Sequence, residues 1–161
     1  MSTLPSTIAA GLAGYFEMVR SKVHEWVGLL STEQIWRRPY PYGNSVGNLL
    51  LHLTGNLNYY IGAQIGGTGY VRHRDREFAD TGKGKEHLLR DFDQAVEMVI
   101  NTIKKQTPED WSRAFSGQGV PPAVKTRFDM VLNCAGHAYH HLGQIIYLQK
   151  QLTMSAAKSG D

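Results

Sequence analysis

Apolar residues near the start of the chain recur at intervals of three and four. Ile8, Leu12, Tyr15, Phe16, Val19, Val23, Trp26, Val27 and Leu30 form one stripe. That is the period of a helix packed on one side. It predicts a helix from about Ser6 to Leu30, with Ser6 or Thr7 able to cap its start. The same period returns three more times. A second helix, from about Ser45 to Gln64 with Ser45 as N-cap, carries Leu49, Leu50, Leu51, Leu53, Leu57, Tyr60 and Ile61 around much of its circumference. It is therefore expected to be well buried. A third, from about Lys85 to Gln106, keeps Leu88, Leu89, Phe92, Ala95, Val96, Val99, Ile100 and Ile103 on one face. A fourth spans about Lys125 to Leu152, and the small, polar tail over about 153–161 is expected to fray. No segment shows strand alternation, internal repetition or low complexity. The expected fold class is all-α: a four-helix bundle forming one domain over 1–161.

The connections carry their own signals. "RRPYPYGNS" breaks the first pattern with two prolines and a glycine. "GGTGYVRHRDREFADTGKGK" is a loop of about twenty residues, and connections of that length are more often functional or disordered than idle. In "TPEDW", Pro108 is expected to open a short turn that tucks Trp111 inward.

Composition narrows the setting. The 161 residues are 42% hydrophobic and 19% charged, an ordinary balance for a water-soluble domain. The net charge of +3 comes without any dense Lys/Arg run, which argues against a nucleic-acid partner. One cysteine, Cys134, excludes an internal disulfide and fits a reducing compartment. The start lacks a basic segment ahead of an unbroken apolar run, so no signal peptide is expected. No apolar stretch approaches the roughly 20 residues of a membrane span. The expected location is cytoplasmic.

"GHAYHHLGQ", over 136–144, holds three histidines. On a helical wheel Met130, Cys134, His137, His141, Ile145 and Leu148 share one stripe, while His140 lies with Asp129, Asn133, Gly136 and Gly143 on a polar or small face. His137 and His141 therefore point the same way, one turn apart, close enough for two imidazoles to reach one cation. A third ligand must come from another helix. His52, set inside "LLLHLTGN", is the candidate, because an unpaired imidazole among leucines is costly to bury. The alternative is three hydrogen-bonded core histidines. A ferritin-like di-iron centre would want inward glutamates and Glu-x-x-His motifs, and neither is present. A mononuclear, all-histidine site fits better.

"SVGNLLLHLTGNL" following a W-x-x-P segment, together with "HAYHHLGQI" late in the chain, resembles the DinB/YfiT-like superfamily over nearly the whole length. The resemblance implies an up-up-down-down bundle with long crossovers, often a homodimer. It also implies a divalent metal, zinc or nickel, held by three histidines that map onto His52, His137 and His141. His140 matches a family histidine that is not a ligand. Some members of that superfamily are metal-dependent transferases of low-molecular-weight thiols or thiol-dependent isomerases. "RHRDREF" resembles a subgroup whose members are uncharacterised.

Three histidines leave a tetrahedral metal with an open position. A thiol added there is deprotonated at neutral pH and becomes a nucleophile. The leading expectation is thus an enzyme that transfers a small thiol to an electrophilic substrate. A metal-dependent hydrolase is the alternative. It wants a general base, and neither ligand-bearing helix offers one near the histidines, although Asp75 or Glu77 could fold in from the long loop. A non-catalytic bundle braced by metal and a plain helical interaction protein are further alternatives. Four residues are candidates for a substrate pocket. Trp36 suits a hydrophobic lid. Asn56 can orient a ligand or serve as a satisfied polar group. Arg74 and Arg76 can grip a carboxylate or pair with Asp75 and Glu77. Cys134 suits the core better than the metal. Gly136 and Gly143 hint at close helix packing or a dimer contact.

Overall fold

The computed structural model describes residues 4–158, with side chains over 6–154. The helices are α1 (Leu4–Gly28), α2 (Thr32–Trp36), α3 (Val46–Leu57), α4 (Arg74–Ala79), α5 (Lys85–Lys104), α6 (Pro108–Ser112) and α7 (Arg127–Lys158). No strand occurs among the described residues, only an isolated bridge between Ala114 and Thr126. The four long helices α1, α3, α5 and α7 form the bundle. α1 packs on α5 and α7, and α3 packs on the same two. α1 and α3 are therefore diagonal to each other, as are α5 and α7, while α3 and α5 are neighbours, the arrangement of an up-up-down-down bundle with long crossovers.

The apolar stripes meet in one core. Phe16, Val19, Val23 and Val27 of α1 are fully buried, as are Leu50, Leu53 and Leu57 of α3 and Phe92, Val96 and Val99 of α5. Met130, Ala138 and Ile145 close it from α7. Each buried Leu, Val or Phe contributes about 1.5–3 kcal/mol. No helix of the described residues is long and apolar enough to cross a membrane.

Three local outcomes differ from the sequence expectation. α1 begins at Leu4, so Ser6 and Thr7 lie within its opening turns rather than capping it. Pro5 suits such a turn because its missing N–H would have no partner there. α7 continues through Lys158, past the expected start of fraying, and residues 159–161 lie outside the described part. The second helix is not uniform. α3 ends at Leu57 and runs into a π-helical turn over Asn58–Ala63. Its wider hydrogen bonding, as in the Gln64 N–H donating to the Tyr59 carbonyl at 3.1 Å, rotates the following side chains out of the α register.

Other expectations hold. Ser45 caps α3 by accepting from the Asn48 N–H at 3.1 Å. Pro108 opens α6 behind the Thr107 cap, and Trp111 is buried.

α7 starts with a reciprocal cap. Thr126 Oγ1 accepts from the Asp129 N–H, and the Asp129 carboxylate accepts from the N–H groups of Lys125 and Thr126 at 3.0 and 2.9 Å. These backbone bonds, that from Lys125 first, hold the Asp129 carboxyl below the usual carboxylate range. A depressed folded pKa stabilises the protein above the unfolded pKa of about 3.9, and the effect fades as pH falls through the folded value. Asp129→Ala is therefore expected to lower Tm at neutral pH, with the gap to wild type closing by about pH 2. A gap that persists unchanged in acid would show that the carboxylate is not the cap.

Candidate metal centre

The sequence between the second and third long helices is not a loose loop. It contains α4, which packs on α3. Asn48 of α3, with no exposed surface, anchors it. Its Nδ2 donates to the carbonyls of Glu77 and Asp80 at 3.2 and 3.1 Å, and its Oδ1 accepts from Ser45 and Arg38. Every hydrogen-bonding position of that buried amide is used. Gly55 supplies the second condition. A Cβ there would overlap Glu77 Oε1, so only glycine lets α4 bring its carboxylate against α3.

Glu77 then meets two partners. Arg72 donates through Nε to Oε1 at 2.7 Å and through Nη2 to Oε2 at 2.8 Å, a bidentate pair. His52 Nδ1 lies 2.8 Å from Oε2. Both the Glu77 and Arg72 side chains are more than nine-tenths buried. Burial alone would raise the Glu77 carboxyl. The hydrogen bonds from His52 and Arg72, with the Arg72 charge, outweigh it and hold the carboxyl below its ordinary value. Glu77 is thus an anion, and His52 Nδ1 must be the protonated nitrogen facing it.

That proton fixes the tautomer and leaves His52 Nε2 bare. His52 Nε2 lies 3.2 Å from His137 Nε2, which lies 3.1 Å from His141 Nε2. One nitrogen from each ring falls within 4.8 Å of the others. His141 is tied in the same manner as His52, because its Nδ1 sits 2.7 Å from Gln144 Oε1 and can only donate to it. Two bare lone pairs therefore aim at His137 Nε2. A single N–H on that atom can serve one of them, not both. Burial, then the neighbouring His141, His52 and Arg72, push His137 down to about 3. Burial likewise lowers His141 despite the Gln144 hydrogen bond. One cation shared by the three nitrogens resolves the convergence. Two nitrogens bound to one zinc ion at about 2.0–2.1 Å with tetrahedral angles lie about 3.3 Å apart, close to the separations seen. The donor set fits a divalent metal.

Beside the histidines lies a cavity of about 910 Å³ between α3 and α7. Tyr59 and Tyr60, carried by the π-helical turn, form one wall, and Tyr60 Oη donates to the Gly119 carbonyl of the opposite loop at 3.2 Å. His52 and His137 line the cavity, as does His140.

The four pocket candidates separate. Asn56 and Arg74 line this cavity. Asn56 is buried, but its Oδ1 has no hydrogen-bond partner, so the satisfied-polar reading fails. Trp36 is no lid. Its ring lies on Gly47, where a Cβ would collide with it, and its indole N–H donates to the Lys83 carbonyl at 2.9 Å. Arg76 faces a different cavity and pairs with Asp80 at 3.3 Å, not with Asp75 or Glu77. Cys134 is buried core, its thiol pushed up to about 12 by burial, and it is not among the three clustered ligands. Gly136 and Gly143 face open space within this chain rather than a neighbouring helix. The residues that the sequence reading undervalued are Arg72 and Glu77. Their signal was a glycine in a leucine-rich helix one turn after His52, marking an approach by something bulky.

Glu77→Gln keeps the shape but removes the charge. It is expected to weaken zinc binding about 10- to 100-fold by chelator competition. Leaving Arg72 unpaired should also lower the unfolding free energy by about 3 kcal/mol in denaturant titration. Wild-type zinc affinity in this variant would show that the carboxylate does not set the His52 tautomer.

Comparison with solved structures agrees with this fold. A conserved protein from Enterococcus faecalis superposes with a TM-score of 0.72 at 16% identity, covering 89% of this chain and 96% of its own. A DinB-like protein from Bacillus cereus superposes with a TM-score of 0.70 at 12% identity, covering 88% and 91%. The fold is thus that of DinB-like proteins, as the sequence resemblance implied. No curated protein matches the chain. Residues 10–159 match a family described as protein of unknown function, DUF1572, and the chain belongs to that family.

Proposed function

We propose that the chain is a metal-dependent enzyme in which His52, His137 and His141 hold a divalent ion, zinc or nickel, and a low-molecular-weight thiol is activated there for transfer to an electrophile. The observation that carries this reading is the convergence of three Nε2 atoms beside an open cavity. Structural zinc sites are usually closed by four protein ligands, whereas catalytic ones keep three and an open position. When bound, the metal would lower the pKa of a thiol that joins it and stabilise the thiolate.

The chain's own residues divide the remaining work. Glu77 and Gln144 orient His52 and His141 through their Nδ1 protons. Tyr59 and Tyr60 give the cavity an aromatic wall that excludes water from one side. His140 lines the same cavity, but its Nε2 accepts from Gln144 Nε2 at 3.3 Å, so the proton that a thiol gives up passes to solvent. In the transfer the sulfur forms a bond to the electrophilic carbon, and the electron pair displaced there leaves with its group or is protonated.

The hydrolytic alternative is weaker for a specific reason. Glu77 does fold in, as a hydrolase would need. But Arg72 engages both its oxygens and His52 one of them, and it does not line the cavity. The cavity wall contains no Asp or Glu. A thiolate nucleophile needs no carboxylate base, whereas activated water gains from one.

A panel of cysteine, glutathione and coenzyme A added to the zinc-loaded protein tests this reading by X-ray absorption at the metal edge. At least one thiol is expected to introduce a sulfur ligand at about 2.3 Å. A spectrum unchanged by every thiol would count against thiol transfer and leave a metal-braced bundle.

A further inference from the structure

The charge balance of the cavity points to what else enters it. Its wall carries two arginines and no carboxylate. Arg72 is already matched by Glu77. Arg74 is not. Its guanidinium lies 5.2 Å from the centre of the Phe78 ring and has no acidic partner among the described residues. With a divalent ion on neutral histidines, the cavity has a surplus of positive charge. A second observation is independent of charge. Asn56, one turn beyond His52 on the cavity side of α3, is 7% exposed, and its buried side-chain Oδ1 has no hydrogen-bond partner. A buried amide left unpaired costs stability. The neighbouring Asn48 shows what this helix does with an amide whose role is structural, because all its positions are used. Tyr59, Tyr60 and Met130 add apolar surface.

We propose that this cavity binds a small organic carboxylate bearing an amide group and an apolar side, with the carboxylate held by Arg74 and the amide by Asn56. An amide offers both a donor and an acceptor, so it can complete Asn56 in either orientation. Arg74 supplies paired N–H donors for the carboxylate. In the thiol-transfer reading this molecule is the electrophilic partner. The inference rests on that reading for the molecule's role, not for its binding.

The test is calorimetric titration of the full chain with N-acetylphenylalanine and with its carboxamide, which lacks the charge. Wild type, Arg74→Gln and Asn56→Leu are each measured zinc-loaded and after chelation. Wild type is expected to bind the acid at least about tenfold more tightly than the carboxamide, and Arg74→Gln to abolish that preference in both metal states. Asn56→Leu should weaken both ligands without lowering Tm, because it removes an amide whose oxygen nothing pairs. Equal binding of acid and carboxamide by wild type, or no binding of either, would overturn the proposal. So would a preference that survives in Arg74→Gln. If that surviving preference disappears on chelation, the metal reads the anion, and the three-histidine reading stands while this one falls. If the chain takes up no zinc yet Arg74 still governs the preference, the metal reading fails and this one stands. A Tm loss of several degrees in Asn56→Leu would make Asn56 structural and remove it from the site.

Discussion

The buried carboxylate of Glu77 joins the three parts of this molecule that matter. It holds α4 against α3, it neutralises Arg72, and it accepts a hydrogen bond from His52 Nδ1. Bringing a carboxylate and a guanidinium out of water costs several kcal/mol per ion, and only a fully hydrogen-bonded arrangement offsets it. Here both carboxylate oxygens are engaged, and the approach is possible because Gly55 has no side chain. The consequence reaches the histidines. A carboxylate behind one nitrogen leaves the other bare, and the bare nitrogen is the one that faces His137. Orientation of a histidine ligand from behind is a recurring device of metal centres. The connection between α3 and α5 is therefore part of the site, not a spacer.

The π-helical turn works in the same direction. It carries Tyr59 and Tyr60 on the cavity wall, where Tyr60 also bonds the Gly119 carbonyl. Such turns are frequent at functional sites because they re-aim side chains without ending the helix. The result is a cavity with aromatic, amide and cationic surface but no anionic surface beside three converging imidazoles.

Most of the bundle was legible because its signal is periodic and local. The stripes of α1, α5 and α7 repeat at three and four residues, and the buried residues fall on them. The histidine trio was legible for a related reason. Spacing alone aligned His137 with His141, and the lone His52 among leucines needed a partner. What was not legible depends on contacts between distant segments. Nothing local distinguishes Arg72 from Arg74 and Arg76, yet they have different fates. Arg72 pairs with Glu77, Arg74 faces the cavity and Arg76 pairs with Asp80. Trp36 beside two prolines reads as a lid until Gly47 is seen to seat it. The π-helical turn leaves no mark in hydrophobic periodicity, since its apolar residues still fit an α-helical stripe.

The claim on which the rest stands is that His52, His137 and His141 share one metal ion. Elemental analysis tests it most directly, on full-length protein expressed with zinc and nickel available. Wild type is set beside His52→Ala, His137→Ala and His141→Ala, with circular dichroism confirming that each remains helical. The account predicts about one ion per chain in wild type and little in any folded variant, since two imidazoles make a poor site. Wild-type protein without stoichiometric metal, or a folded His137→Ala that retains it, would contradict the account.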